Sequence, residues 1–203
     1  MSLSDIFHIS RPSLETKVKT LFANPHTLFS ERLRYVKISP ENAADMYEYS
    51  KDSEVTKYLT WSPHSSLKET ERYVKLLQRK YEAGSFNDWG LILRDTGRMI
   101  GTCGFTSFDY KENTAEIGYV LAKDCWGKGL AVEAAKRIMR FGFEEFGLSG
   151  FSAKFIEGNN ASMRVMQKCG MELEGVYRNS MFIKGEYKTI VVYTVTKEQF
   201  DAL

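Results

Sequence analysis

Residues 116–135 read EIGYVLAKDCWGKGLAVEAA, and the fold turns on this stretch. The run TAEIGYVLA (114–122) has strand character. From about Lys128 to Phe146 the pattern turns helical, with Ala131, Ala135, Ile138, Gly142 and Phe146 sharing a face. Between strand and helix, Gly127 and Gly129 bracket Lys128. Glycine permits backbone angles and close approaches that a β-carbon forbids. The first amides of a helix lack intrahelical partners, and the helix dipole adds roughly half a positive charge there. The segment can therefore hold an anion, best a phosphate or pyrophosphate. It can equally be a plain turn into a helix, and these residues alone leave both readings open. It is neither a P-loop nor a dinucleotide fingerprint. Asp124 rather than glycine stands five residues before Gly129, and Val132 stands where GxGxxG needs its third glycine.

Working outward, strands are expected at 89–94 and 99–109 before the strand at 114–122. Asp95-Thr96-Gly97 and the segment from Tyr110 to Asn113 supply the hairpin turns between them. Upstream, ERLRYVKI (31–38) alternates like a strand, and Pro40 to Lys51 reads as a short helix. SSLKETERYVKLLQRKYEAG (65–84) is a longer helix, with Ser66 and Glu69 as a capping box and Gly84 at its exit. Its Tyr73, Leu76, Leu77 and Tyr81 form the stripe expected to face the core. Downstream come a strand at 151–157, a helix at 159–170 and two strands joined by Lys184-Gly185. Glu133/Arg137 and Arg140/Glu144 have the spacing of ion pairs along a helix. Hairpins mixed with two strand–helix–strand units exclude an all-parallel sheet and a sandwich, leaving an α/β (α+β) fold.

Composition narrows the function. A net charge of +2, from 28 Lys and Arg against 26 Asp and Glu, does not make a nucleic-acid surface. The three cysteines, Cys103, Cys125 and Cys169, have no metal-ligand spacing and read as reduced, buried packing residues. The three histidines, His8, His26 and His64, read as surface or loop residues, and no metal set is expected. No apolar run reaches membrane-spanning length and no signal-peptide block opens the chain, so a cytoplasmic protein with no membrane partner is expected. Residues 1–29 form an N-terminal extension. Leu14, Val18, Leu21 and Phe22 predict a short amphipathic helix there, capped by Ser10 or Ser13.

The WGKGxAxEA pattern at Trp126–Ala134, following EIGYxL at Glu116–Leu121, resembles the GCN5-related N-acetyltransferases (GNAT). It is closest in form to their RimJ/RimL-like, ribosomal-protein N-terminal acetyltransferase-like branch. ERLRYVKI upstream and NNASMRVMQKCGM (159–171) downstream match that branch in order. The likeness covers residues 30–203. The departure is Trp126, where the family's [Q/R]-x-x-G-x-[G/A] loop carries Gln or Arg.

The resemblance implies a mixed, mostly antiparallel sheet of about seven strands, flanked by about four helices and splayed to admit acetyl-CoA. It implies that the backbone of Tyr119, Val120 and Leu121 meets the pantetheine. Gly127, Lys128, Gly129, Leu130, Ala131 and Val132 would hold the pyrophosphate, and Trp126 and Asn159 would contact the cosubstrate. Asn159 also reads as a helix cap. The Glu and Tyr that related enzymes use for proton transfer fall at Lys154 and Met166, neither of which can serve. Glu116 is then the candidate base and Ser162 the candidate acid for the leaving thiolate. A solvent-facing glutamate and a helix-start serine are their structural alternatives. Trp61 and Pro63, with Tyr177, Arg178 and Tyr187, are expected near the acceptor. The implied activity is acetyl transfer to a primary amine in a ternary complex, by a monomer or homodimer. A protein N-terminal α-amine leads as acceptor, ahead of a small amine such as an aminoglycoside or polyamine. A non-catalytic acyl-CoA-binding module and a binder of another nucleotide phosphate are the competing classes.

Overall fold

The computed structural model describes residues 12–85 and 87–203; His8 and Ser10 lie outside them. Its strands are β1 (Leu28–Phe29), β2 (Leu33–Val36), β3 (Asp88–Leu93), β4 (Met99–Asp109), β5 (Thr114–Leu121), β6 (Gly150–Ile156), β7 (Glu172–Ile183) and β8 (Glu186–Thr196). They form one sheet in the order β1-β2-β3-β4-β5-β6-β8-β7. Every neighbouring pair is antiparallel except β5–β6, which is parallel and is connected through helix α5 (Leu130–Phe141). The other helices described are α1 (Leu14–Ala23), α2 (Ala43–Ser50), α3 (Ser53–Thr56), α4 (Leu67–Glu82), α6 (Asn160–Lys168) and α7 (Lys197–Asp201). The sheet is of the expected kind, with eight strands in place of about seven. The two-residue β1 and the single-turn α3 and α7 are too short to leave a periodic signal.

Cross-strand pairing sorts the sheet into two faces. Cys103 and Phe105 of β4 pair with Tyr119 and Ile117 of β5 on the face that packs α5 and α6. Gly104 pairs with Gly118 on the opposite face, which is covered by α2 and α4. Helix α1 starts at Ser13, whose hydroxyl accepts from the Thr16 amide, and it inserts Phe22 into the aromatic core. The Phe22 ring meets Trp89 edge-on at 4.8 Å, with Phe105 at 6.0 Å and Phe146 at 6.3 Å. Phe22→Ala should destabilise the protein by about 3–5 kcal/mol, lowering Tm by roughly 10 °C in a calorimetric scan. A shift of only a degree or two would mean that α1 is an appendage.

Two helices differ from their sequence reading. On α4 the buried residues are Thr70, Val74, Leu77 and Tyr81, whereas Tyr73 and Leu76 are 39% and 45% exposed. The stripe is rotated because Tyr73 turns toward a cavity instead of the core. The Ser66 hydroxyl accepts from the Glu69 amide as expected. The Glu69 carboxylate, however, takes the Ser65 amide and hydroxyl, both at 2.7 Å, so the capping box is displaced by one residue. Helix α5 begins at Leu130 and not at Lys128, and residues Gly142–Phe146 widen into a π turn. Arg140 packs its guanidinium over the Phe200 ring at 5.7 Å in place of the expected pair with Glu144.

Candidate functional site

Strands β5 and β6 pair only through Thr114–Gly150, Ala115–Phe151 and Glu116–Ser152. Beyond Glu116, β5 stays with β4 as far as Leu121, while β6 stays with β8 as far as Ile156. The two strands therefore part at Ile117. The edge of β5 that carries Tyr119, Val120 and Leu121 has no strand partner on the β6 side, and it can accept an extended chain.

The glycine segment lies at the end of this edge. Gly127 and Gly129 both occupy the left-handed region, with φ of 74° and 79°, so neither can belong to the helix that follows. The first intrahelical bond runs from the Glu133 amide to the Gly129 carbonyl at 3.0 Å. The amides of Leu130, Ala131 and Val132 precede it and have no helical acceptor. Gly129, as the cap, offers no side chain to satisfy them. The Trp126 indole N–H donates to the Leu121 carbonyl at 2.8 Å, which ties the loop to the end of β5.

A distant residue sets the loop's position. Arg32 donates from Nη1 to the Lys128 carbonyl at 2.8 Å and from Nε to Glu133 Oε2 at 2.7 Å. The Arg32 amide and the Ser30 hydroxyl both donate to Glu133 Oε1 at 2.7 Å. Burial pushes the Glu133 carboxyl up, but these bonds and the Arg32 charge outweigh it and leave the group below its ordinary value. This web replaces the expected Glu133/Arg137 pair; Arg137 donates instead to the Phe29 carbonyl. Nothing local in the sequence marks Arg32, whose partners lie about a hundred residues away.

Glu116 and Lys154 meet where the strands part, with Nζ to Oε2 at 2.9 Å. A β-bulge in β4 turns Thr106 toward the same carboxylate, and its hydroxyl donates to Oε1 at 2.6 Å. On the opposite face the Tyr119 hydroxyl lies 2.9 Å from Ser162 Oγ and donates to the Ser162 carbonyl at 3.2 Å. Burial holds the Tyr119 phenol well above its ordinary range, so it is a neutral hydroxyl at physiological pH. Asn159 Oδ1 accepts from the Ser162 amide at 3.2 Å, so this residue does cap α6.

One cavity of about 430 Å³ joins these groups across the gap. Glu116 and Lys154 line it on the α2/α4 side, and Tyr119, Asn159 and Ser162 line it on the α6 side. Trp61, His64 and Tyr73 form an aromatic wall toward α4, with the His64 ring 5.5 Å from Trp61 and 5.7 Å from Tyr73. His64 is a loop residue, as its sequence context predicts. It lines the cavity, accepts or donates at Nδ1 to Thr70 Oγ1, and is pushed by burial below its ordinary value toward the neutral form. The far wall is Met181, Ile183 and Ile190, which corrects the expectation for Tyr177, Arg178 and Tyr187. Tyr177 and Tyr187 are 48% and 65% exposed on the β7–β8 hairpin. Pro63 does not reach the cavity, whereas its neighbour Trp61 does. The hairpin tip is anchored by Lys184, whose Nζ donates to the Thr56 carbonyl at 2.6 Å.

Comparison with known proteins agrees with this geometry. Residues 32–172 match the acetyltransferase (GNAT) domain family. The uncharacterized N-acetyltransferase p20 of Bacillus licheniformis is 30% identical over 174 residues, which is 86% of this chain and 98% of that protein. The putative ribosomal N-acetyltransferase YdaF of Bacillus subtilis is 26% identical over 145 residues, covering 71% of this chain and 79% of its own length. Among solved structures, a GNAT-family acetyltransferase from Bacillus anthracis superposes with a TM-score of 0.75 at 28% identity, covering 85% of this chain and 99% of that one.

Proposed function

Because this chain belongs to the GNAT acetyltransferase family and is an acetyl-transferring enzyme, we propose that acetyl-CoA is its donor and a primary amine its acceptor. The observation that carries this reading is the single cavity crossing the sheet where β5 and β6 part. A donor laid along the free β5 edge meets an acceptor arriving from the α2/α4 face. The uncapped amides of Leu130, Ala131 and Val132, with Gly127, Lys128 and Gly129, fit the donor's pyrophosphate. Trp126, Tyr119, Val120, Leu121 and Asn159 would border its pantetheine arm.

Acetyl-CoA supplies an activated thioester. The amine nitrogen forms a bond to the carbonyl carbon, the carbon–sulfur bond breaks, and the nitrogen gives up a proton. Glu116, a carboxylate lining the cavity at the gap, would take that proton, directly or through water. Ser162, hydrogen-bonded to the neutral Tyr119 hydroxyl on the α6 side, would return a proton to the thiolate. A protein N-terminal α-amine is the acceptor supported by the likeness to YdaF. The aromatic wall and closed hairpin side of the cavity favour a second reading, a small amine.

Thiol release from acetyl-CoA across a panel of N-terminal peptides and small amines tests the activity. Saturating CoA should also raise Tm by roughly 5–10 °C, with ATP and NAD giving no comparable protection. Protection without turnover on any amine would contradict the assigned acceptor chemistry. Equal protection by ATP would point to a different nucleotide site.

A further inference from the structure

One carboxylate in the cavity is not used by the transfer chemistry. Asp88, the first residue of β3, pairs with Gly104 of β4, which pairs in turn with Gly118 of β5. Directly opposed residues project from the same face of a sheet, so this row lies on the α2/α4 side. A β-carbon on Gly104 would collide with the Asn87 carbonyl oxygen and with Asp88, at both its Oδ1 and its Cα. The missing side chain leaves room both for the β3 backbone and for the carboxylate, which lies over Gly104 in the direction of the gap. Oδ1 is sealed from solvent and accepts no hydrogen bond among the described residues. A carboxylate oxygen shut off from solvent without a donor is unfavourable, and Asp88, half-buried as a residue, lines the cavity from which a partner can come.

The surroundings supply no counter-charge. Among the described residues Lys154 is the one cationic side chain lining the cavity, and Glu116 engages it. The titratable groups nearest Asp88 are Tyr49 from α2, Tyr73 and Tyr81 from α4, and, behind the sheet on its other face, Cys103 from β4. Burial raises all four, so they are uncharged near neutrality. His64 in the aromatic wall is held toward its neutral form. With Asp88 ionised, the lining keeps one uncompensated negative charge beside the rings of Trp61 and Tyr73, whose faces attract cations.

We propose that Asp88 selects the acceptor, its carboxylate receiving a positively charged group of a small amine whose other, reactive amine stands at Glu116. This rests on the acetyltransferase reading above and names its acceptor as a diamine or longer polyamine. Asp88 and Glu116 are two strands and two residues apart, so their Cα atoms lie roughly 12 Å from each other across the same face. A linear α,ω-diamine suits that separation.

Burial pushes the Asp88 carboxyl up to about 7. The ionised form, which attracts the cation, therefore dominates above that pH and is lost below it. The preference for a diamine over a monoamine should fall as pH drops through about 7. Taking the ratio of kcat/KM for 1,6-diaminohexane to that for hexylamine cancels the ionisation of the reacting nitrogen, to a first approximation.

Steady-state thiol release with these two acceptors tests the proposal. At pH 8 the unaltered enzyme should prefer the diamine by about tenfold or more in kcat/KM. Asp88→Asn should bring the ratio near one, mainly by raising KM for the diamine, with the KM for acetyl-CoA unmoved. A ratio near one in the unaltered enzyme overturns the proposal, as does a ratio that is flat with pH or indifferent to Asp88→Asn. If the variant does not fold, the unaltered enzyme's ratio and its pH dependence still decide. Turnover of N-terminal peptides but of neither amine overturns this inference and leaves the acetyltransferase reading standing. Failure of acetyl-CoA to protect the protein or to be consumed with any acceptor is failure of that reading itself.

Discussion

Glu116→Gln should lower kcat by about 10²–10⁴-fold while leaving the affinity for acetyl-CoA nearly intact. The amine must lose its proton to attack, and Glu116 is the carboxylate at the point where β5 and β6 part. Glutamine keeps the size of the side chain and can still accept from the Thr106 hydroxyl, which now donates to Oε1. What it loses is the ability to take a proton and the counter-charge for Lys154. That ion pair is partly exposed, with side-chain exposures of 41% for Lys154 and 17% for Glu116. Its loss should therefore weaken the fold by no more than about 1 kcal/mol. A large fall in kcat with a small change in Tm separates chemistry from stability. Lys154→Met is the companion variant, removing the same ion pair while sparing the carboxylate. If Glu116→Gln turns over as fast as the unaltered enzyme, the residue is only the partner of Lys154.

The parts of this site that could be read from sequence are those fixed by neighbours in the chain. Gly127 and Gly129 signal left-handed turns, Asn159 caps the helix it heads, and Lys184-Gly185 closes a hairpin, all within a few residues. The helical pattern runs back into Lys128, two residues before α5 begins, and only the backbone angle at Gly129 stops it. The face that α4 buries differs from its sequence stripe for a nonlocal reason. Tyr73 and Leu76 look like core residues until one knows that a cavity lies beside them. Arg32, Asp88 and His64 were beyond local reading altogether. Arg32 reaches the loop because β2 lies alongside the start of α5. Asp88 reaches the cavity because β3, β4 and β5 place it in a row with two glycines. Sheet order and register decide both, and neither is written in a short window of sequence.

Gly129→Val should damage donor binding first, raising the KM for acetyl-CoA by about tenfold or more while acetyl transfer at saturation persists in part. A β-branched residue at φ of 79° is a conformational outlier, and the left-handed region alone penalises a side chain by roughly 1–2 kcal/mol. There is room for one atom, since a β-carbon would lie 3.5 Å from Arg32 Nη2. The two methyl groups of valine need more, and they must push against Arg32 or stand over the amides of Leu130, Ala131 and Val132. Relief of the strain would draw Gly129's position toward the helical region and rearrange those amides as well. Either response spoils an anion site. A control isolates strain from site damage. Gly185, in the β7–β8 turn, has φ of 88° and nothing within 4 Å of a would-be β-carbon. Gly185→Ala should lower Tm by a few degrees through the same backbone penalty and leave the KM for acetyl-CoA unchanged. Equal effects of the two variants on that KM, or none from Gly129→Val, would remove the loop from donor binding and return DCWGKGLAVE (124–133) to a simple turn.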